Sequence, residues 1–258
     1  VNYPMLLNYL RVKNIPCIIT LHDFWLITGH CAYINQSCDK WKIGCGVCPR
    51  LNQYPAALID HSAKNWQLKA ELFDNMSNVM LVSVSNWLNG FVQQSLLKNV
   101  RSKVIYNGIN TEVFKPYDKQ TSLVGGIDWS KFTILSISTR WTDANGFDDV
   151  IKLGGLLPTD VQIIIVGLDN MQIRNLPVNI IGLRKTENFT QLQELYSKSS
   201  VVFNPNMEVT FGLVTAEAMA CGTPVIVLKN TAGEEIVDSE TGYVVNTVDE
   251  VLQSLIPI

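Results

Sequence analysis

The second half of the chain alternates short apolar runs with segments of helical periodicity. The clearest run is QIIIVG at residues 162–167, whose consecutive β-branched side chains are typical of a strand covered on both faces. Strands of this kind, joined by helices, pair in parallel through right-handed crossovers. In such sheets ligands bind at the carboxyl ends of the strands, where loops meet helix N-termini. The pattern therefore predicts an α/β fold with a ligand site at that edge.

The predicted elements form two groups. The first group has helices at 3–10, 61–76 and 87–97 and strands at 17–21, 79–84 and 103–106. The second has strands at 132–138, 162–166, 179–182, 201–204 and 224–228 and helices at 147–157, 189–199, 212–220 and 248–255. The intervening segment is mostly polar and contains Gly108, Pro116, Gly125 and Gly126, a composition typical of a linker. We therefore predict domains at 1–108 and 132–258, joined by a hinge at 109–131.

Composition and charge exclude several classes of protein. The 258 residues are 47% hydrophobic and 17% charged, so the chain can bury a core. Its 20 Lys and Arg against 23 Asp and Glu, without a basic run, argue against a nucleic-acid partner. No apolar stretch reaches the roughly 18–20 residues that span a bilayer, and no signal peptide is recognised. We expect a cytoplasmic protein, with peripheral association at the inner face of the membrane left open.

The segment with the clearest candidate ligand-binding residues is NPNMEVTFGLVTAEAMACGTPVIV, residues 204–227. It predicts a strand, a loop with Glu208, and a helix that starts near Phe211 and Gly212 and carries Glu217. A glycine at a helix start lets a ligand approach the backbone, and the free N–H groups of the first turn favour phosphate. The two glutamates could accept hydrogen bonds from sugar hydroxyls. Taken alone, they could equally be a charged loop residue and a solvated helix position.

This segment resembles the donor-site motif of the retaining glycosyltransferases of family 4, also called glycosyl transferases group 1. In that family two glutamates flank an aromatic-glycine turn ahead of an A-M-A-C-G-T-P-V run. Other motifs similar to the family follow one another in its order: TLHDFW (20–25), VIYNGIN (104–110), STRW (138–141), GFDDVIKL (146–153), IIIVGL (163–168), NIIGL (179–183) and LQELYSKSSVVFNP (192–205). The resemblance covers nearly the whole chain and implies a GT-B architecture, with two Rossmann-like parallel-sheet domains.

The same resemblance implies that the chain is truncated at both ends. The glycine-rich loop that opens the N-terminal domain of the family is absent, and so is the tail that crosses back to that domain. The chain also opens on Val1 rather than on methionine. We therefore expect an incomplete N-terminal domain and a longer parent protein.

The resemblance further implies a reaction and a set of roles. The chain would move a sugar from a nucleotide-sugar donor, with retention, to a glycan or lipid-linked acceptor in cell-surface polysaccharide assembly. The catalytic set would be His22 at the donor sugar, Arg140 at the diphosphate and Glu208 at the sugar hydroxyls. The donor-binding set would be Glu217 at the ribose, Phe211, Gly212 and Leu213 at the sugar and diphosphate, Leu183 and Arg184 at the base, Asn145 in the phosphate turn, and Ser85. No catalytic cofactor is required, because arginine and a helix N-terminus can share the diphosphate charge.

One matched position departs from the family. Asn145 stands where the family usually has a lysine, just before the glycine of the phosphate turn. Loss of that cation could cost about 2–4 kcal/mol of transition-state stabilisation. The alternative function is therefore an inactive remnant that binds nucleotide-sugars or acts as a scaffold.

A Cys-rich, aperiodic insertion occupies residues 24–54. Four cysteines lie close together in it, Cys31, Cys38, Cys45 and Cys48, and the last two form a C-x-x-C pair. In a chain without a secretion signal this arrangement predicts a structural zinc site, with disulfides or free thiols as alternatives. Four thiolates would close the coordination sphere, so no catalytic role is expected for such a metal.

Overall fold

The computed structural model describes residues 2–34, 38–74, 76–117, 122–142 and 145–255. The chain divides into two compact units, residues 1–107 and 108–258. Each unit is built on its own parallel sheet flanked by helices, which confirms the predicted α/β class.

The first unit contains a three-stranded sheet in the order β1-β2-β3. Its strands are β1 (Cys17–Leu21), β2 (Val79–Ser83) and β3 (Ser102–Val104). Its helices are α1 (Tyr3–Val12), α2 (Lys40–Ile43), α3 (Ser62–Phe73) and α4 (Asn86–Val92). Within the described part of the Cys-rich insertion, regular structure is confined to α2 and a 3-10 turn at Trp25–Ile27.

The second unit contains a six-stranded parallel sheet in the order β6-β5-β4-β7-β8-β9. Its strands are β4 (Phe132–Ile137), β5 (Val161–Val166), β6 (Ile180–Leu183), β7 (Val201–Asn204), β8 (Val225–Leu228) and β9 (Gly242–Val245). Its helices are α5 (Phe147–Leu156), α6 (Asn170–Arg174), α7 (Phe189–Lys198), α8 (Leu213–Ala220) and α9 (Val248–Leu255).

Strand β5 shows why this sheet is parallel and central. Ile163 and Ile165 lie in one buried cluster with Leu153 of α5, whereas Ile164 lies in a second cluster with Tyr196 of α7. Successive side chains of a strand point to opposite faces, so the β-branched run is covered on both sides. The prediction from QIIIVG is confirmed.

Several boundaries differ from the predicted ones for local reasons. Helix α4 ends at Val92 rather than at residue 97, because the hydroxyl of Ser95 donates to the Val92 carbonyl (2.8 Å) and accepts from the Leu97 amide (3.1 Å). Such side-chain bonds compete with helical ones. Among the described residues, five short elements were not predicted: α2, α6, β9 and the 3-10 turns at Trp25–Ile27 and Ala232–Ile236.

The segment predicted as a hinge, residues 109–131, belongs to the second unit. The Leu123 amide and the Ser122 hydroxyl both donate to the buried carboxylate of Glu194, at 2.8 and 2.7 Å. Phe114 is buried in the same cluster as Tyr196. Residues 118–121 of this segment lie outside the described residues.

Among the helices in the described ranges, none has both the length and the apolar character needed to cross a membrane.

We predict that Gly167, just after β5, tolerates no side chain. Its φ is +99°, and a Cβ atom would lie 1.7 Å from the carbonyl oxygen of Ser138. Gly167→Ala should lower the free energy of unfolding by at least about 2 kcal/mol, measured by urea denaturation. The matched control is Gly155→Ala in α5, where a Cβ meets nothing within 4 Å and helix propensity should raise stability by about 0.5 kcal/mol. Equal effects of the two substitutions would contradict the close approach.

Candidate functional site

Several predicted site residues of the second unit follow strands of the same sheet. Arg140 follows β4, Leu183 ends β6 with Arg184 directly after it, and Glu208 follows β7. All these strands are parallel, so the residues gather at one edge. Both guanidinium-bearing residues are exposed, and Glu208 is half-buried. The structure thus brings two cationic positions and one carboxylate to the carboxyl edge of the sheet.

Helix α8 begins at this edge with an uncapped N-terminus. Gly212 adopts a left-handed conformation (φ +97°, ψ 53°) and provides no side-chain hydrogen bond to the first turn. By contrast, α6 and α7 are capped by the side chains of Asp169 and Asn188. Phe211 is buried and Leu213 is exposed. The free N–H groups and the positive dipole end of α8 therefore favour an anion, and its first turn contains no acidic residue to compete.

Asn145 organises the loop that carries Arg140. Its amide nitrogen donates to the hydroxyl of Ser138 (3.2 Å) and to the carbonyl of Arg140, and its amide oxygen accepts from the Thr142 backbone N–H (2.8 Å). The position where the family usually has a lysine is therefore occupied here by a side chain that braces the turn. Its polar atoms are engaged inside the loop.

The same loop packs against the segment that leads to Glu208. Gly146, the residue before α5, has a φ of +85°, and a Cβ atom on it would lie 2.4 Å from the Cβ atom of Pro205. Only a residue without a side chain allows this approach. Helix α5 also lacks a side-chain cap, but Asp148 and Asp149 lie in its first turn. Their charge makes α5 a weaker anion site than α8.

Glu217 is held by a partner that sequence reasoning missed. The hydroxyl of Tyr196, fully buried on α7, donates to the Glu217 carboxylate at 2.8 Å. Burial raises the pKa of Glu217, and the hydrogen bond from Tyr196 opposes this shift. Burial and the neighbouring carboxylate raise the pKa of Tyr196 well above its ordinary value. The sequence predicts that this tyrosine lies on a helix. Its pairing with a residue 21 positions away depends on how α7 packs on α8, which the sequence pattern does not give.

In the first unit, His22 and Ser85 follow the carboxyl ends of the neighbouring strands β1 and β2. His22 is exposed, whereas Ser85 is fully buried. The Ser85 hydroxyl accepts a hydrogen bond from the Leu88 amide at 3.0 Å and so caps helix α4. The structure therefore gives Ser85 a local structural role.

The four cysteines of the insertion line a common cavity. All four are free thiols and half-buried. Burial raises the pKa of Cys31 to about 12 and also raises that of Cys45. Within the part of the chain that the structure describes, no group of three or more His, Cys, Asp or Glu side chains is arranged so that it could hold a metal ion.

The family model of the glycosyl transferases group 1 matches residues 132–257, the region that contains the six-stranded sheet and the edge described above. The second unit is a glycosyl transferases group 1 domain. The putative colanic acid biosynthesis glycosyl transferase WcaC of Escherichia coli (strain K12) is 27% identical over 254 residues, which cover 94% of this chain and 60% of the relative. The chain thus spans about three-fifths of the length of this curated relative.

Two solved structures have a similar fold. Anabaena Alr3699/HepE in complex with UDP-glucose matches 96% of this chain and 63% of its own, with a TM-score of 0.63 and 19% identity. Sucrose-phosphate synthase of Thermosynechococcus elongatus matches 80% of this chain and 55% of its own, with a TM-score of 0.62 and 20% identity. These matches confirm the predicted GT-B type of fold.

We predict that Tyr196→Phe destabilises the glycosyltransferase domain. The substitution leaves the half-buried Glu217 carboxylate without this donor, which should lower the free energy of unfolding by about 1–3 kcal/mol. Tyr243→Phe on β9 is the matched control, because Tyr243 is 37% exposed and should lose almost nothing. Urea denaturation measures both, and a Tyr196→Phe variant as stable as the control would contradict the interaction.

Proposed function

We propose that this chain binds a nucleotide-sugar and transfers its sugar, with retention, to a glycan or lipid-linked acceptor. The observation that carries the proposal is the uncapped N-terminus of α8, which Gly212 opens at the same sheet edge as the Arg140 loop. Backbone N–H groups and a guanidinium are the groups that bind a diphosphate.

The electrostatics of this edge suit a leaving group that gains negative charge. When the glycosidic bond breaks, the nucleoside diphosphate takes the bonding electrons, and fixed N–H dipoles with a permanent cation stabilise that charge most in the transition state. An arginine guanidinium is a permanent cation with a planar fork of donors, which Arg140 would direct at the phosphate oxygens. Asn145 contributes indirectly, since it holds the Arg140 backbone in place.

Glu217 would bind the ribose and Glu208 the donor sugar. An ionised carboxylate accepts from two vicinal hydroxyls, and Tyr196 keeps the Glu217 carboxylate oriented from its buried side. Leu183 and Arg184, at the end of β6, would flank the base. The role of His22 at the donor sugar rests on the family resemblance alone.

The reaction exchanges one bond for another at the anomeric carbon. The bond from that carbon to the diphosphate oxygen breaks, a bond to the acceptor oxygen forms on the same face, and the departing phosphate takes the acceptor proton. Neither Glu208 nor Glu217 needs to act as a base in this scheme. The name of the WcaC relative, which refers to colanic acid biosynthesis, supports an acceptor in cell-surface polysaccharide assembly, and we place the reaction in the cytoplasm at the inner face of the membrane.

The binding of nucleoside diphosphates tests the arginine assignment. We expect Arg140→Ala to lower the affinity for UDP, GDP or ADP, whichever binds best, by about tenfold to a hundredfold, because a charge-assisted contact is lost. Isothermal titration calorimetry measures this affinity. Affinity for the corresponding nucleoside should not change. Lys131→Ala, which removes an exposed cation before β4 at the opposite edge, is the matched control.

Equal losses in Arg140→Ala and Lys131→Ala would overturn the site. Tight binding of a nucleotide-sugar without sugar transfer to any acceptor would instead favour the inactive remnant that Asn145 suggests.

The pH dependence of binding tests the ribose assignment. Because burial raises the pKa of Glu217, its carboxylate protonates at a higher pH than an ordinary glutamate. Nucleoside affinity should therefore fall as the pH is lowered through that raised pKa, and stay constant above it. Glu217→Gln should bind more weakly and show no such dependence. A wild-type pH profile that persists in Glu217→Gln would show that another group is responsible.

A further inference from the structure

We propose that the Cys-rich insertion binds one structural zinc ion through the thiolates of Cys31, Cys38, Cys45 and Cys48. The proposal is independent of the transfer reaction, since it concerns the first unit only. It begins with a cavity of about 360 Å³, part of it open to solvent, whose walls include all four cysteines.

The sulfur atoms already interact with one another across this cavity. Cys31 lies within electrostatic range of Cys48 and Cys45, and Cys45 within that of Cys38 and Cys48. Side chains separated by up to 17 positions in the sequence thus meet at one place. Tetrahedral coordination needs Zn–S distances of about 2.3 Å, which the thiols would reach by turning into the cavity.

The cavity lining contains polar atoms that are buried without a partner. Among the described residues, Nε2 of His30 and Nε1 of Trp41 have no hydrogen-bond partner. Buried polar groups are rarely left unsatisfied, and each exception calls for an explanation such as an absent ion. Thiolate sulfurs bound to zinc accept N–H hydrogen bonds, so a zinc-loaded site would supply acceptors for these ring nitrogens. The Gly29 amide already donates to the Cys45 sulfur at 3.3 Å.

The surrounding charge also matches a four-thiolate zinc centre, which carries a net charge of −2. Lys40 and Arg50 line the cavity. Lys69 is fully buried on α3, donates to the Thr28 carbonyl at 2.8 Å, and has Cys45 and Cys31 as electrostatic neighbours. A buried ammonium is costly unless an anion lies nearby. Asp23 is one electrostatic neighbour of Lys69, and the zinc-thiolate centre would be a second anion.

The segments that carry the cysteines are fixed by hydrogen bonds to their backbone. Lys40 donates to the carbonyls of Gly46 and Val47, each at 2.8 Å, within the C-x-x-C turn. Val47 has a φ of +45°, which is rare and strained for a β-branched residue. The Cys48 amide donates to Asp60 at 2.7 Å. A metal bound by Cys45 and Cys48, which flank Val47, would hold this turn and explain why the strain is tolerated.

The softness of thiolate ligands and their number favour zinc among the candidate metals. Four thiolates favour zinc or an iron–sulfur cluster over hard cations. With four protein ligands the zinc coordination sphere is closed, so the ion would stabilise the insertion and take no part in catalysis.

The metal content of the purified chain tests the proposal. We expect about one zinc ion per chain by inductively coupled plasma mass spectrometry, and a fall in melting temperature when a strong chelator removes it. Cys31→Ser and Cys48→Ser should lose most of the zinc, whereas Cys17→Ser, a cysteine of β1 outside the cluster, should retain it. Cobalt added to the zinc-free wild-type chain should give the visible absorption of tetrahedral cobalt-thiolate.

The cobalt spectrum keeps the proposal testable even where a serine variant fails to fold. Absence of zinc together with no cobalt-thiolate absorption would overturn the proposal. So would disulfides detected by mass spectrometry of the unreduced chain, iron with the colour of an iron–sulfur cluster, or zinc retained in both cluster variants.

Discussion

Parallel pairing of β4 with β5 on one side and β7 on the other is the constraint on which the candidate site depends. It places three loops at one edge, and these loops carry Arg140, Gly167 and Glu208. A slip of one residue in any of these strands would turn buried β-branched side chains to the wrong face. The core therefore sets the register, and the register sets the positions of the functional loops.

Close backbone approaches then bring these loops together. Gly167 leaves room for the Ser138 carbonyl, and Gly146 leaves room for Pro205. Gly212 opens α8 without a side-chain cap. At each of these positions a side chain would either clash or force a strained backbone. The edge of the sheet consequently combines the N–H groups of the first turn of α8 with two arginines and the Glu208 carboxylate, a composition suited to an anionic ligand bearing hydroxyls.

Much of the fold could be predicted because the dominant interactions are local and periodic. Runs such as residues 162–167 indicate two-sided burial by themselves, and the glycine at 212 marks the start of a helix. Helix α6 escaped because its five residues contain less than two turns. Strand β9 escaped because its two middle residues, Tyr243 and Val244, are both exposed and break the alternation. Helix α6 depends on a reciprocal cap between Asp169 and Gln172, which becomes visible only with the backbone in place.

The parts of the site that escaped prediction depend on long-range contacts. Tyr196 supports Glu217 from another helix, and Asn145 braces a turn through backbone atoms. Lys69 sits in the core because its ammonium reaches carbonyl groups 41 or more positions away. No window of sequence contains both partners of such contacts. Conversely, Arg140, Glu208 and Glu217 could be named from the sequence because the family resemblance implies their roles.

The central claim is that a pyrophosphate binds at the start of α8. Amide-resolved NMR of the ¹⁵N-labelled chain, titrated with the best-binding nucleoside diphosphate and separately with its nucleoside, measures this most directly. The account predicts large shifts of the Gly212, Leu213 and Val214 amides that appear with the diphosphate and not with the nucleoside. Shifts centred on the first turn of α5, or identical responses to both ligands, would contradict it.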